Sequence, residues 1–111
     1  MAAASFPSLI TDLPEADLPF SGLRAWILQG TERQAAFFDI DAIGDVAPHS
    51  HGEQWGVVIE GEMELTIEGR TQRLTRGDAY HIPAGAVHSA RFRRRTLAID
   101  VYADVQRFRP K

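Results

Sequence analysis

The chain has no cysteine among its 111 residues. That excludes disulfides, thiolate metal sites and cysteine nucleophiles, and leaves histidine, carboxylate and amide oxygen as possible metal ligands. Long apolar runs are also missing, and no stretch approaches the length of a membrane span. The start Met1-Ala2-Ala3-Ala4-Ser5-Phe6 has neither the basic segment nor the apolar run of a secretory signal. A cytoplasmic location is therefore expected. There is no excess of positive charge: the formal net charge is −3, which gives no global reason to expect nucleic acid or an anionic membrane as a partner. A small molecule is the default partner. The length suits one core and is too short for two ordinary domains.

What is present is ordinary for a protein that buries a core without staples, with 44% apolar and 24% charged residues. Pro7, Pro14 and Pro19 fall within residues 5 to 22 and each lacks an amide donor, which argues against a continuous helix or central strand there. Residues 1–22 are read as an N-terminal arm lying over the body or over a partner subunit, and residues 23–111 as the single domain. From Leu23 onward short apolar stretches alternate with Gly, Pro and Asp, and no helical period is sustained. The pattern predicts an all-β chain with strands near 23–29, 32–41, 54–60, 62–68, 70–75, 78–82, 87–93 and 96–102, a number that suits a barrel or sandwich. The clearest alternation runs from Glu62 to Glu68. It puts Met63, Leu65 and Ile67 on one face and Glu62, Glu64, Thr66 and Glu68 on the other, with Gly61 and Gly69 at its ends. The acidic face is expected to be solvated.

His49-Ser50-His51 separates two imidazoles by two residues, so that in a strand both point to one side and can converge on one ion. Alone, such a pair is more commonly surface or packing histidine. Its surroundings give it weight. They read Gly44-x4-His49-x-His51-x2-Gln54-x6-Gly61, followed by Gly77-x5-Pro83-x-Gly85-x2-His88-x3-Phe92. Together these blocks resemble the two signature motifs of the cupin superfamily, in its small, single-domain, RmlC-like form. The second block departs only at its last position, where Phe92 replaces the usual Asn. The first keeps both histidines and the closing glycine at shorter spacing, with Gln54 where the family has Glu.

The resemblance implies a cupin double-stranded β-helix, the jelly-roll barrel. It also implies one divalent transition metal ion (Fe, Mn, Ni, Zn or Cu) held by His49, His51, Gln54 and His88. Three neutral imidazoles and an amide would leave the double positive charge of the ion uncompensated, making it more electrophilic and favouring an anionic substrate. Glu53 is the competing ligand, although strand alternation brings it inward only through a bulge. Pro83-Ala84-Gly85 reads as the tight loop that swings His88 inward, with Ala90 and Phe92 on the same face. Of Tyr80 and His81 only one can face inward. Tyr80 is read as a packed aromatic, and His81 as a surface or hydrogen-bonded residue with a general acid/base role as the alternative. Trp26, Phe37, Phe38 and Trp55 are assigned to the core or a dimer interface. Arg91, Arg93, Arg94 and Arg95 are read as a solvated cluster, with attraction of an anionic ligand as the second reading.

The expected function is that of a mononuclear metalloenzyme acting on a small oxygen-bearing molecule, of dioxygenase, isomerase or lyase type. The alternative is a non-catalytic ligand- or metal-binding module. The sequence offers no clear acid/base pair beside the ligands, which keeps that alternative open. A homodimer is expected because the family commonly pairs through its sheets.

Overall fold

Nine short strands, separated by glycine and proline turns, make up most of the computed structural model, which describes residues 4–111. They are β1 (Leu23–Gln29), β2 (Gln34–Ile40), β3 (Gly44–His49), β4 (Gln54–Glu60), β5 (Glu62–Ile67), β6 (Arg70–Thr75), β7 (Ala79–Ile82), β8 (His88–Phe92) and β9 (Thr96–Tyr102). Two antiparallel sheets face each other, one in the order β1-β2-β9-β4-β7 and the other in the order β3-β8-β5-β6. This is the expected all-β jelly roll. No helix among the described residues is long and apolar enough to cross a membrane.

Eight strands fall where alternation and turn residues predict them. The ninth, β3, is absent from the sequence reading because its pattern is half-polar and it contains Pro48. It lies at the edge of its sheet, where a missing amide donor breaks no ladder. Its register with β8 shifts between Val46 and His49.

Inward-facing side chains of both sheets form the core. Met63 and Leu65 are buried as the β5 alternation requires, packed with Phe38, Ile40, Val58, Leu74, Tyr80 and Phe92. The β5–β6 hairpin turns on Glu68 and Gly69, both with positive φ (47° and 80°), the backbone of a type I′ turn, whose twist matches the flanking strands.

The acidic face of β5 is ion-paired rather than simply solvated. Glu62 Oε2 accepts from Arg73 at 2.8 Å and Arg94 at 3.3 Å, and Glu64 meets Arg93 at 3.1 Å. Arg91 pairs with Asp45 and Arg95 with Asp39. The arginine cluster is thus matched to acids on neighbouring strands. Such exposed pairs contribute about 0–1 kcal/mol each.

Ahead of β1, the arm lies against the body of its own chain. After a single helical turn at Ser8–Thr11, Glu15 bridges to Trp26 and Ala16 to Pro110. The Phe6 ring packs edge-on to Trp26 and Phe37, with centroids 6.3 and 5.8 Å away. Glu15 also reaches Lys111 at 2.6 Å and Arg24 at 3.3 Å, fastening arm, tail and β1 together.

Candidate metal centre

His49 ends β3 and is the register partner of His88, the first residue of β8. His51 lies in the loop between β3 and β4. The two histidines therefore converge because the chain turns after His49, and not by alternation along one strand as the sequence reading supposed. Ring centroids are 4.3 Å apart for His49 and His88, 4.8 Å for His51 and His88, and 5.5 Å for His49 and His51. One nitrogen from each ring lies within 4.8 Å of the others, so the trio is positioned to hold one metal ion.

Each ring is tethered through Nδ1 to a backbone carbonyl: His49 to Ala47 (2.8 Å), His51 to Gly52 (2.9 Å) and His88 to Ala86 (2.9 Å). A carbonyl oxygen only accepts, so each Nδ1 carries the proton and each Nε2 keeps a free lone pair. Burial lowers the pKa of His51 and His88 below the ordinary 6.5, which favours the neutral, ligating form at pH 7.

Gln54 opens β4 with its side chain on the buried inner face, lining the same cavity as the three imidazoles. Its Nε2 donates to Asp100 Oδ1 at 2.7 Å. An ionised carboxylate accepts only, so the amide nitrogen must face Asp100 and the oxygen must face away. That oxygen, Oε1, is buried and has no hydrogen-bond partner among the described residues. An orphaned oxygen beside three free imidazole nitrogens fits the donor set of a divalent transition metal. Glu53 points the other way: its carboxylate takes His81 Nε2 at 2.7 Å on the outside of the sheet, both side chains being more than half exposed. His81 is thereby a surface residue, and Tyr80 is the inward-facing one of the pair.

The sequence reading missed Asp100, Tyr102, Gly56 and Arg107. Asp100 sits on β9, fully buried and lining the cavity, and receives bonds on Oδ1 from both Gln54 and the Tyr80 hydroxyl (2.7 Å). Burial raises its pKa to about 6, and the two hydrogen bonds hold it from rising further. Tyr80 is pushed well above 10 by burial and by the neighbouring Asp100 charge. Gly56 is the register partner of both Asp100 and Tyr80. A Cβ there would collide with the Asp100 carboxylate and the Tyr80 ring, so the glycine makes room for the pair. Asp100 was legible as the one carboxylate inside Leu97-Ala98-Ile99-Asp100-Val101-Tyr102, at the inward parity of that strand. Arg107 lies in an irregular tail and gave no signal; its guanidinium stacks on Phe108 at 4.6 Å, and its Nε is buried without a partner among the described residues.

A small jelly-roll barrel whose interior gathers three imidazoles positioned to hold a metal ion defines a class of β-barrel proteins. Within that class the chain belongs to the cupin family: a family model described as a cupin domain matches residues 36–102. No curated protein matches the sequence. Among solved structures it resembles an RmlC-like cupin from Shewanella frigidimarina (26% identity, covering 82% of this chain and 84% of that one, TM-score 0.72). It also resembles KdgF from a Halomonas species (26% identity, 91% and 93% covered, TM-score 0.73). An oxalate decarboxylase from Lactobacillus farciminis shares the fold at 21% identity, with 31% of its length covered and a TM-score of 0.70.

Proposed function

We propose that this cupin is a mononuclear metalloenzyme that moves a proton on a small oxygen-bearing molecule, with His49, His51, His88 and the Gln54 oxygen as the metal ligands. The observation that carries the reading is a buried carboxylate, Asp100, in the same cavity as three clustered imidazoles, each held through Nδ1 by a backbone carbonyl. A metal bound there would polarise a substrate oxygen as a Lewis acid. Asp100 supplies the acid/base group that the sequence did not reveal. Burial holds its carboxyl above the ordinary carboxylate range, in the direction that suits a group that takes up and returns a proton. Gln54 and Tyr80 both bond to Oδ1, leaving Oδ2 as the oxygen that accepts the proton. This favours isomerase- or lyase-type chemistry over oxygen activation. The unpartnered Nε of Arg107, which lines the cavity, supports an anionic substrate.

The test has two parts. Metal content of tag-free protein, reconstituted and measured by mass spectrometry, should be one ion per chain, lost in His88→Ala and weakened in Gln54→Ala. The loaded protein is then incubated in D2O with a panel of enolisable keto acids, and deuterium incorporation is read by NMR. Exchange that disappears in Asp100→Asn while metal content is retained supports the enzyme. Stoichiometric metal with no exchange across the panel favours the non-catalytic binding module, and absence of metal sinks the metalloenzyme and leaves a metal-free ligand-binding module.

We also propose a homodimer formed through the outer face of the five-stranded sheet. Strand register aligns Leu28, Ala35, Val101 and Trp55 in one row across that face, and Trp26, Phe37, Ile99 and Val57 in the next, where Phe6 of the arm already covers Trp26 and packs on Phe37. Leu28 and Trp55 are about half exposed (52% and 45%), an apolar surface of the kind that a self-complementary interface covers.

A further inference from the structure

The cavity encloses about 570 Å³, far more than an ion and a two-carbon acid require, and its walls change character along the strands. On β9 and β4, Gln54 pairs with Tyr102, Gly56 with Asp100, and Val58 with Ala98. On β2, Phe38 pairs with Ala98 and Ile40 with Thr96. Across the barrel His49 pairs with His88, Val46 with Ala90 and Gly44 with Phe92, while Leu65 pairs with Ala90. Both sheets therefore run from a polar end, where the imidazoles, Gln54 and Asp100 lie, to an end lined by Phe38, Ile40 and Ala98 facing Met63, Leu65 and Phe92. None of these six side chains carries a hydrogen-bonding group beyond the weak thioether of Met63.

We infer that the ligand of this cavity is an amphiphile: an oxygen-bearing, acidic head at the imidazole end and a hydrocarbon body, alkyl or aryl, in the half formed by Phe38, Ile40, Met63, Leu65, Phe92 and Ala98. These six side chains disfavour a polyhydroxylated body, because a hydroxyl held against them would lose its water without gaining a partner; Asp17 and Arg109, which also line the cavity, come from the arm and the tail. The inference builds on the cavity as the ligand site proposed above, but its apolar half acts on the ligand whether or not a metal sits at the other end.

Straight-chain carboxylates from acetate to octanoate, with gluconate as a six-carbon polyol comparison, separate the two readings. They are titrated into zinc-loaded and EDTA-treated full-length protein. Occupancy is read from the 13C-methyl resonance of Met63, the only methionine besides Met1 and a residue of the cavity wall. Affinity should rise about fourfold per added methylene, the transfer free energy of one CH2, in both forms of the protein, until the cavity is filled. Hexanoate should bind at least about tenfold more tightly than gluconate. Ala90→Leu fills space in the apolar half and should flatten the series without altering zinc affinity. A flat series in the wild type, equal binding of gluconate and hexanoate, or binding that leaves the Met63 methyl unmoved overturns the inference. If the slope persists but zinc-loaded and metal-free proteins bind every acid equally, the amphiphile stands and the metal's part in ligand binding falls.

Discussion

Gln54 and Asp100 divide between them what a single glutamate supplies in the usual motif. In the proposed site the amide contributes the oxygen that Asp100 leaves unpartnered, and the carboxylate behind it contributes the negative charge, one hydrogen bond further away. Restoring the familiar residue should therefore fail here. In Gln54→Glu two carboxylates meet where an amide donor met an acceptor, and the buried pair can relieve the repulsion only by taking up a proton. The metal-free variant is expected to lose about 2–3 kcal/mol at pH 7, measured by urea unfolding of EDTA-treated protein. Asp100→Asn added to that background restores a donor–acceptor pair with the roles exchanged, and should recover most of the loss. Additive losses in the double-mutant cycle would mean the two side chains do not act as a unit. At this scale, the three histidines were legible from motif spacing. Asp100 carried a signal, its inward parity on an apolar strand, but a single carboxylate there reads as an interruption until the register shows what it faces.

At the scale of elements, alternation and glycine spacing recovered the strands that bury one clean face. They missed β3, an edge strand with a proline and a register shift, whose burial pattern never alternates cleanly between buried and exposed. That same irregularity governs the site: the chain leaves the sheet just after His49, and the following loop, not the strand, delivers His51. The hairpin at Gly69 offers a clean measure of how much turn geometry contributes. Its φ is +80° and an added Cβ would meet nothing within 4 Å, so Gly69→Ala isolates the backbone cost of the left-handed conformation. Urea melts should report a loss of about 1–2 kcal/mol, with zinc affinity unchanged because the hairpin holds no residue of the centre.

For the molecule as a whole, two features have simple solution signatures. The protein has two tyrosines, and burial raises both Tyr80 and Tyr102 well above the ordinary value near 10. The folded state thus holds both phenolic protons more tightly than the unfolded chain does. The stability this confers is complete below pH 10 and is lost as pH rises above it, because only the unfolded chain ionises there. Phenolate absorbance should consequently appear together with the loss of circular dichroism; an earlier rise in absorbance would mean that one ring is open to solvent. The proposed dimer predicts twice the 12.3 kDa chain mass by light scattering, reduced to the chain mass in Trp55→Glu, since a charge buried in an apolar interface is not tolerated.

The outer sheet face also equips the chain with its own optical reference. Of the two tryptophans, Trp26 is buried against Phe6 and Trp55 stands 45% exposed. Emission from the first reports whether the arm is seated. The second reports what touches the sheet: its spectrum should shift to the blue as concentration rises and two sheets close over it, and remain unchanged on dilution if the face stays bare.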